Sequence, residues 1–166
     1  MGIQKSLLAL AFVTIVSADD VRAAAVWDIG YKDGWNYGSV KTEIPAGGVR
    51  IPASLVFYCK ADSCIWKVII AAAECQAGDR FRLRMRLLEP IRGDLEDFSA
   101  ATCEGTFQAP GKAMTRGVYR INDSALFTKR LLAGDPSLIQ VVLSGDVDMR
   151  FDTSGARRTI SRAESR

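Results

Sequence analysis

Between Arg80 and Leu87 the chain alternates without a break. Arg80, Arg82, Arg84 and Arg86 hold one parity, and Phe81, Leu83, Met85 and Leu87 hold the other. Successive side chains of an extended backbone point to opposite sides, so this register sends four guanidinium groups to one face and four apolar side chains to the other. A helix would scatter both sets around its circumference. The segment therefore reads as a strand with one face on a core, and a chain that contains it must build a sheet. Other runs agree. Val40, Thr42 and Ile44 alternate within Trp35 to Ile44, and Val147, Met149 and Phe151 alternate near the end. Ala53 to Cys59 and Cys64 to Ala72 are apolar and rich in aromatic or β-branched residues. The polar Lys60-Ala61-Asp62-Ser63 between them reads as the four-residue loop of a hairpin.

Turn residues punctuate the rest. Lys32-Asp33-Gly34, Pro45-Ala46-Gly47-Gly48 and Gln76-Ala77-Gly78-Asp79 read as turns, and Pro52 as an edge or turn position. Glu89 to Phe98 reads as an acidic loop and Thr102 to Phe107 as a short strand. Gln108 to Gly117 reads as a loop before a short strand at Val118 to Ile121. Ala125 to Ala133 has the pattern of a helix, with Ser124 or Asp123 as its cap and Gly134 at its exit. Asp135-Pro136 reads as the start of a second helix, running through Leu138, Ile139, Val141 and Val142 to Gly145. Residues 157–166 are basic and polar, a frayed tail or short helix. The expected fold is mostly β: a sandwich or flattened barrel of about seven to nine short antiparallel strands, with one or two short C-terminal helices.

The first residues have a different character. Lys5 precedes an apolar run from Leu7 to Val16, and Val16-Ser17-Ala18 supplies small residues behind it. This is the layout of a secretory signal peptide. The run is shorter than the ~20 residues of a membrane-spanning helix. The expectation is a signal peptide over 1–18, with Ala25 as the alternative cleavage position, and a single exported domain over 19–166. That domain would be periplasmic or secreted, without a membrane span. No cysteine follows either cleavage position, which argues against a lipid anchor there. Removing residues 1–18, which hold Lys5 and no acid, lowers the net charge only from +3 to +2. Such a balance does not suggest nucleic acid, whose partners carry strongly basic patches. The chain has no histidine. Ser-His-Asp and Cys-His catalysis are thereby excluded, as are histidine-ligated metal sites.

Four cysteines, Cys59, Cys64, Cys75 and Cys103, allow three pairings. The hairpin places Cys59 and Cys64 at facing strand ends, within bonding range, and leaves Cys75 for Cys103. A redox pair would need a closer, activated spacing, and a zinc site would need free thiolates in an oxidising compartment, so structural disulfides are expected. Arg80, Arg82, Arg84 and Arg86 form the candidate anion-binding surface. Each guanidinium can pair bidentately with carboxylate or phosphate. The competing reading is a solvated face neutralised by cross-strand acids. Asp94, Glu96, Asp97 and Glu104 invite a glycosidase or calcium reading, yet their spacing lacks the rhythm of a calcium loop, and they are expected to balance the arginines. Trp27, Tyr31, Trp35 and Tyr37 are expected to close one end of the core.

Two stretches resemble the small bacterial periplasmic proteins similar to the invasion-associated locus B protein. One is Phe57-Tyr58-Cys59 through Cys64. The other is Ser137 to Ala156, with its short apolar helix, Ser144-Gly145 turn, alternating strand and Ser154-Gly155-Ala156. The resemblance implies a secreted β-sandwich of envelope or host-interaction type without known catalysis. The expected function is a non-catalytic exported binding or accessory protein, with no cofactor and no metal. Its partner would be an envelope component or a protein, met through the arginine face. The alternatives are a carboxylate-dependent hydrolase of an envelope polymer and an inhibitor of a secreted enzyme.

Overall fold

The computed structural model describes residues 26–61, 63–89, 94–108, 111, 113–134, 136–144 and 146–165, so the expected signal peptide lies outside the described residues. The chain forms β1 (Asp28–Lys32), β2 (Trp35–Ala46), β3 (Val49–Lys60), β4 (Ser63–Ala71), β5 (Arg80–Leu88), β6 (Leu95–Gln108) and β7 (Thr115–Ile121). Then come α1 (Ala125–Ala133), β8 (Leu138–Leu143), β9 (Val147–Asp152) and α2 (Ala156–Glu164). All pairings are antiparallel, in one sheet ordered β1-β2-β3-β4-β7-β6-β5-β8-β9. The sheet curls until β9 packs against β2. The indole N–H of Trp27 donates to the Asp152 carbonyl at 3.0 Å. Among the described residues no ladder joins β9 to β2, so the curl stops short of a closed barrel.

The inner face carries the expected parity. Leu83, Met85 and Leu87 are buried there with Val40, Leu55, Phe57, Val68, Ile139, Val141, Met149 and Phe151. Trp66 is its centre, packed on Phe57 at 4.8 Å and edge-on to Phe127 of α1 at 5.4 Å between centroids. Its indole N–H donates to Thr128 Oγ1 at 2.8 Å, so a large ring is buried without an orphaned donor. α2 turns Ala156, Thr159, Ile160 and Ala163 inward at helical spacing and packs on β2 and β3. Thr159 occupies the space that a Cβ at Gly38 would need, which is why β2 has no side chain at that point. Turns of D-G and G-G type close the first two hairpins, with positive φ at Asp33 and Gly34 and at Gly47 and Gly48.

Several expectations are corrected. Leu138 to Leu143 is a strand, not a helix. Ile139, Gln140, Val141, Val142 and Leu143 are all buried, so both faces are covered and the period of two that marks a half-exposed strand is hidden. The loop expected over 89–98 gives way to β6 from Leu95, and the loop over 108–117 to β7 from Thr115. Cross-strand partners sustain these segments beyond their local signals. Strand pairing reaches Lys60 and Ser63, so two residues, not four, turn the β3–β4 hairpin. β2, β3 and β6, at 12, 12 and 14 residues, are not short. Ser124 caps α1 with no side-chain hydrogen bond; its carbonyl instead accepts from the Thr128 N–H and hydroxyl. Of the N-terminal aromatics, Trp27 joins the core, Trp35 and Tyr37 are half-buried and Tyr31 is exposed.

Candidate anion-binding face

Two disulfides lie on the core side of the sheet, beneath this face, with Cys59 and Cys103 buried. Cys59 and Cys64 are directly opposed on β3 and β4 and bonded, with Cα atoms 4.2 Å apart. Cys75 is bonded to Cys103, with Cα atoms 6.1 Å apart. The second link ties the 76–79 turn to β6. The Gly78 N–H donates to the Cys103 carbonyl at 2.9 Å, and the Cys103 N–H to the Asp79 carbonyl at 2.8 Å. Arg80 follows at once, so the staple sets where β5 begins.

The arginine row divides into two halves. Arg86 pairs with Asp94 and donates to Gln140 Oε1 at 3.2 Å, and Gln140 in turn donates to Asp148. Arg84 Nε lies 3.3 Å from Glu96. This half is a face neutralised by Glu96 of β6 and by Asp94 just before it. Arg80 and Arg82 are exposed, and among the described residues neither has an ion pair. Arg80 stands opposite Thr102 on β6, which stands opposite Arg120 on β7. Strands lie ~4.8 Å apart, so Arg80 and Arg120 originate roughly 10 Å apart with Thr102 between them. Side chains as long as these can converge on one anion.

Around them lies a shallow, open hollow of about 580 Å³, lined by Gly78, Arg80, Thr102, Arg120, Asn122 and Asp123 with Ile121 at its floor. Its polar wall is held in place. The Asn122 Nδ2 donates to Thr102 Oγ1 at 3.1 Å, the Asn122 N–H donates to the Ala100 carbonyl at 2.8 Å, and the Ser99 hydroxyl donates to the Asn122 carbonyl. The Thr102 hydroxyl in turn donates to Asn122 Oδ1 at 3.4 Å, so the two side chains hold each other in place. Arg120, exposed, has no ion pair among the described residues either. The hollow thus sets two open guanidinium groups against one acid, Asp123.

The acids do not converge. Asp94 and Glu96 engage Arg86 and Arg84, Asp97 engages Arg130 at 2.7 Å, and Glu104 engages Lys67 at 2.6 Å. Asp97 has the parity of inward-facing Met85, whereas Glu96 has that of Arg86, so these neighbours leave the sheet on opposite sides. Among the described residues no group of three or more His, Cys, Asp or Glu is placed to hold a metal ion. No helix there is long and apolar enough to cross a membrane. Further along the outer face, Lys67 sits 5.3 Å from the Tyr58 ring centroid, and Tyr58 lies 6.0 Å from Tyr37. Burial raises the Tyr58 phenol above its ordinary value, with Tyr37 and Glu104 acting in the same direction.

The arginine row therefore supplies Arg80 and Arg82 to the open part of the face and leaves Arg84 and Arg86 outside it. Arg120, Thr102 and Asn122 are what the strand pattern did not single out. The alternation of Arg116, Val118 and Arg120 against Tyr119 and Ile121 marks Arg120 as outward-facing, but its placement beside Arg80 depends on a pairing of distant strands. Comparison with protein-family models, with curated proteins and with solved structures finds no match to this chain.

Proposed function

We propose that the protein is an exported, non-catalytic binding protein that holds anionic groups of an envelope component in the Arg80–Arg120 hollow. The observation that carries this reading is the pair of guanidinium groups without acidic partners, set on either side of a pinned threonine and asparagine. Each arginine offers a planar fork of donors to carboxylate or phosphate. Two disulfides, the apolar leader and the resemblance to the locus B-like proteins all support an oxidising compartment outside the cytoplasm. A hydrolase is disfavoured because Asp94, Glu96, Asp97 and Glu104 are each committed to a cation. A protein partner is a second reading, favoured by Phe107 and Met114, about half exposed on the β6–β7 hairpin.

The test is elution from immobilised lipopolysaccharide across a salt gradient, wild type against Arg80→Gln/Arg120→Gln. Wild type is expected to elute at clearly higher salt, because screening falls to ~3 Å at 1 M and cuts off such contacts. The double variant should melt as the wild type does, since surface changes cost within about 0.5 kcal/mol. Equal elution of the two proteins rejects the hollow as the binding site.

A further inference from the structure

The outer face continues beyond the hollow. One rung of the sheet runs Ser39, Val56, Lys67, Arg120, Thr102, Arg80 across β2, β3, β4, β7, β6 and β5. The next rung runs Tyr37, Tyr58 and Ile65 across β2, β3 and β4. Asn122, pinned to Ala100, and Arg82, opposite Ala100, continue it. Together they make a band with two tyrosine rings at one end and three open arginines at the other. With strands ~4.8 Å apart the band is roughly 24 Å long and crosses the strands at right angles.

The tyrosine end is built to present a ring. A Cβ at Gly30 of β1 would overlap the Tyr37 ring, so the ring lies directly on the glycine backbone. The ring is held from one side in this way, and Tyr37 as a whole stays half-buried. Tyr58 packs beside it, tilted by 46°. Between the tyrosines and the arginines stands the Lys67–Glu104 pair, whose charges cancel locally. A ligand fitting this band has flat or C–H-rich faces at one end and anionic groups at the other, repeated along a chain. A compact anion such as free phosphate fills only the hollow.

We infer that the band is a subsite track for an acidic polysaccharide laid across the strands. Its pyranose faces stack on Tyr37 and Tyr58, and its carboxylates are held by Arg120, Arg80 and Arg82. The inference rests on the proposed hollow and extends it to a ligand class. A single-stranded nucleic acid also combines rings with anions. The mild net charge of +3 and the two disulfides favour the sugar polymer.

The experiment titrates the full chain with oligogalacturonates of increasing length, with sodium polyphosphate and with oligodeoxythymidylate. The proteins are wild type, Tyr37→Leu and Arg80→Gln/Arg120→Gln. Leucine keeps an apolar cover on Gly30 and removes the ring. Oligogalacturonate affinity is expected to rise with length and level off once the band is spanned. Tyr37→Leu should lower the affinity for the longest oligomer about tenfold, the size expected of a contact aromatic, while polyphosphate affinity stays unchanged. In wild type, the long oligomer and not polyphosphate should protect Tyr37 from chemical nitration, a readout that needs no substitution. Unprotected Tyr37, or equal losses for both polyanions in Tyr37→Leu, overturns the track and leaves the hollow standing. An arginine variant that binds both polyanions as wild type does overturns the hollow itself. Tighter binding of oligodeoxythymidylate than of the long oligogalacturonate overturns the assignment to a sugar polymer.

Discussion

The two ends of β5 carry the same side chains and have different surroundings. At the Arg84–Arg86 end the strand is flanked on both sides. β6 places Glu96 opposite Arg86 and β8 places Gln140 there, so the guanidinium groups are absorbed into a network with Asp94, Glu96 and Asp148. At the Arg80–Arg82 end β8 has already finished, and β6 offers only Thr102 and Ala100. The residue that follows Thr102 across the sheet is another cation, Arg120. Identical residues two positions apart thus do different work, surface cohesion at one end and an open cationic hollow at the other. An arginine count is a poor guide to a binding face. The partner supplied by the next strand decides.

The largest expected effect concerns what holds the open end in place. Cys75→Ser/Cys103→Ser should cost about 3–4 kcal/mol in urea unfolding, because the link closes a long loop. Cys59→Ser/Cys64→Ser, across a tight hairpin, should cost about 2 kcal/mol. The first pair should also weaken binding at the hollow, since the 76–79 turn that leads into Arg80 hangs on Cys103. A reversed order of the two costs, with binding unaffected, would show that the staple does not position β5.

A smaller effect comes from making the paired end resemble the open one. Glu96→Gln removes the acid facing Arg84. Exposed pairs of this kind are worth about 0–1 kcal/mol, so stability should hardly move. Retention on the immobilised polyanion should shift to higher salt as a further arginine becomes available. An unchanged elution position would mean that the hollow alone sets retention and that the row does not act as a continuous surface.

The smallest effect is on pH dependence beneath the open end. Tyr119 of β7 packs edge-on against Phe81, the neighbour of Arg80 and Arg82, at 5.3 Å between centroids. Burial raises its phenol above the ordinary 10.0, and Tyr58 on the outer face is raised as well. The folded protein then keeps these protons where the unfolded chain gives them up. Their contribution is fully present below pH 10.0 and is lost as pH climbs through the raised folded values. Urea melts across this alkaline range should show stability falling, with Tyr119→Phe flattening part of the fall. A wild-type curve with no slope above pH 10.0 would contradict the raised phenols.

Much of the strand architecture was legible from residue order. The parity of Arg80–Leu88, the D-G and G-G turns, and the facing positions of Cys59 and Cys64 are local properties. They span a few residues and need no knowledge of the rest of the chain. The misread segments share a physical cause. Leu138–Leu143 is buried on both faces, which erases the period of two. The start of β6 at Leu95 and of β7 at Thr115 depends on ladders with distant partners. The site was half legible: Arg80 and Arg82 stood out, but Arg120 did not, since nothing near it in sequence announces its neighbours.

The sequence by itself determined which side chains share a face, because a period of two is a property of the extended backbone and holds wherever the strand ends up. Only the tertiary structure decided which arginines find acids. That depends on the order β4-β7-β6-β5-β8, which brings together strands far apart in the chain. The ladder register then sets one residue against another at ~5 Å, where charges either cancel or remain open to a ligand.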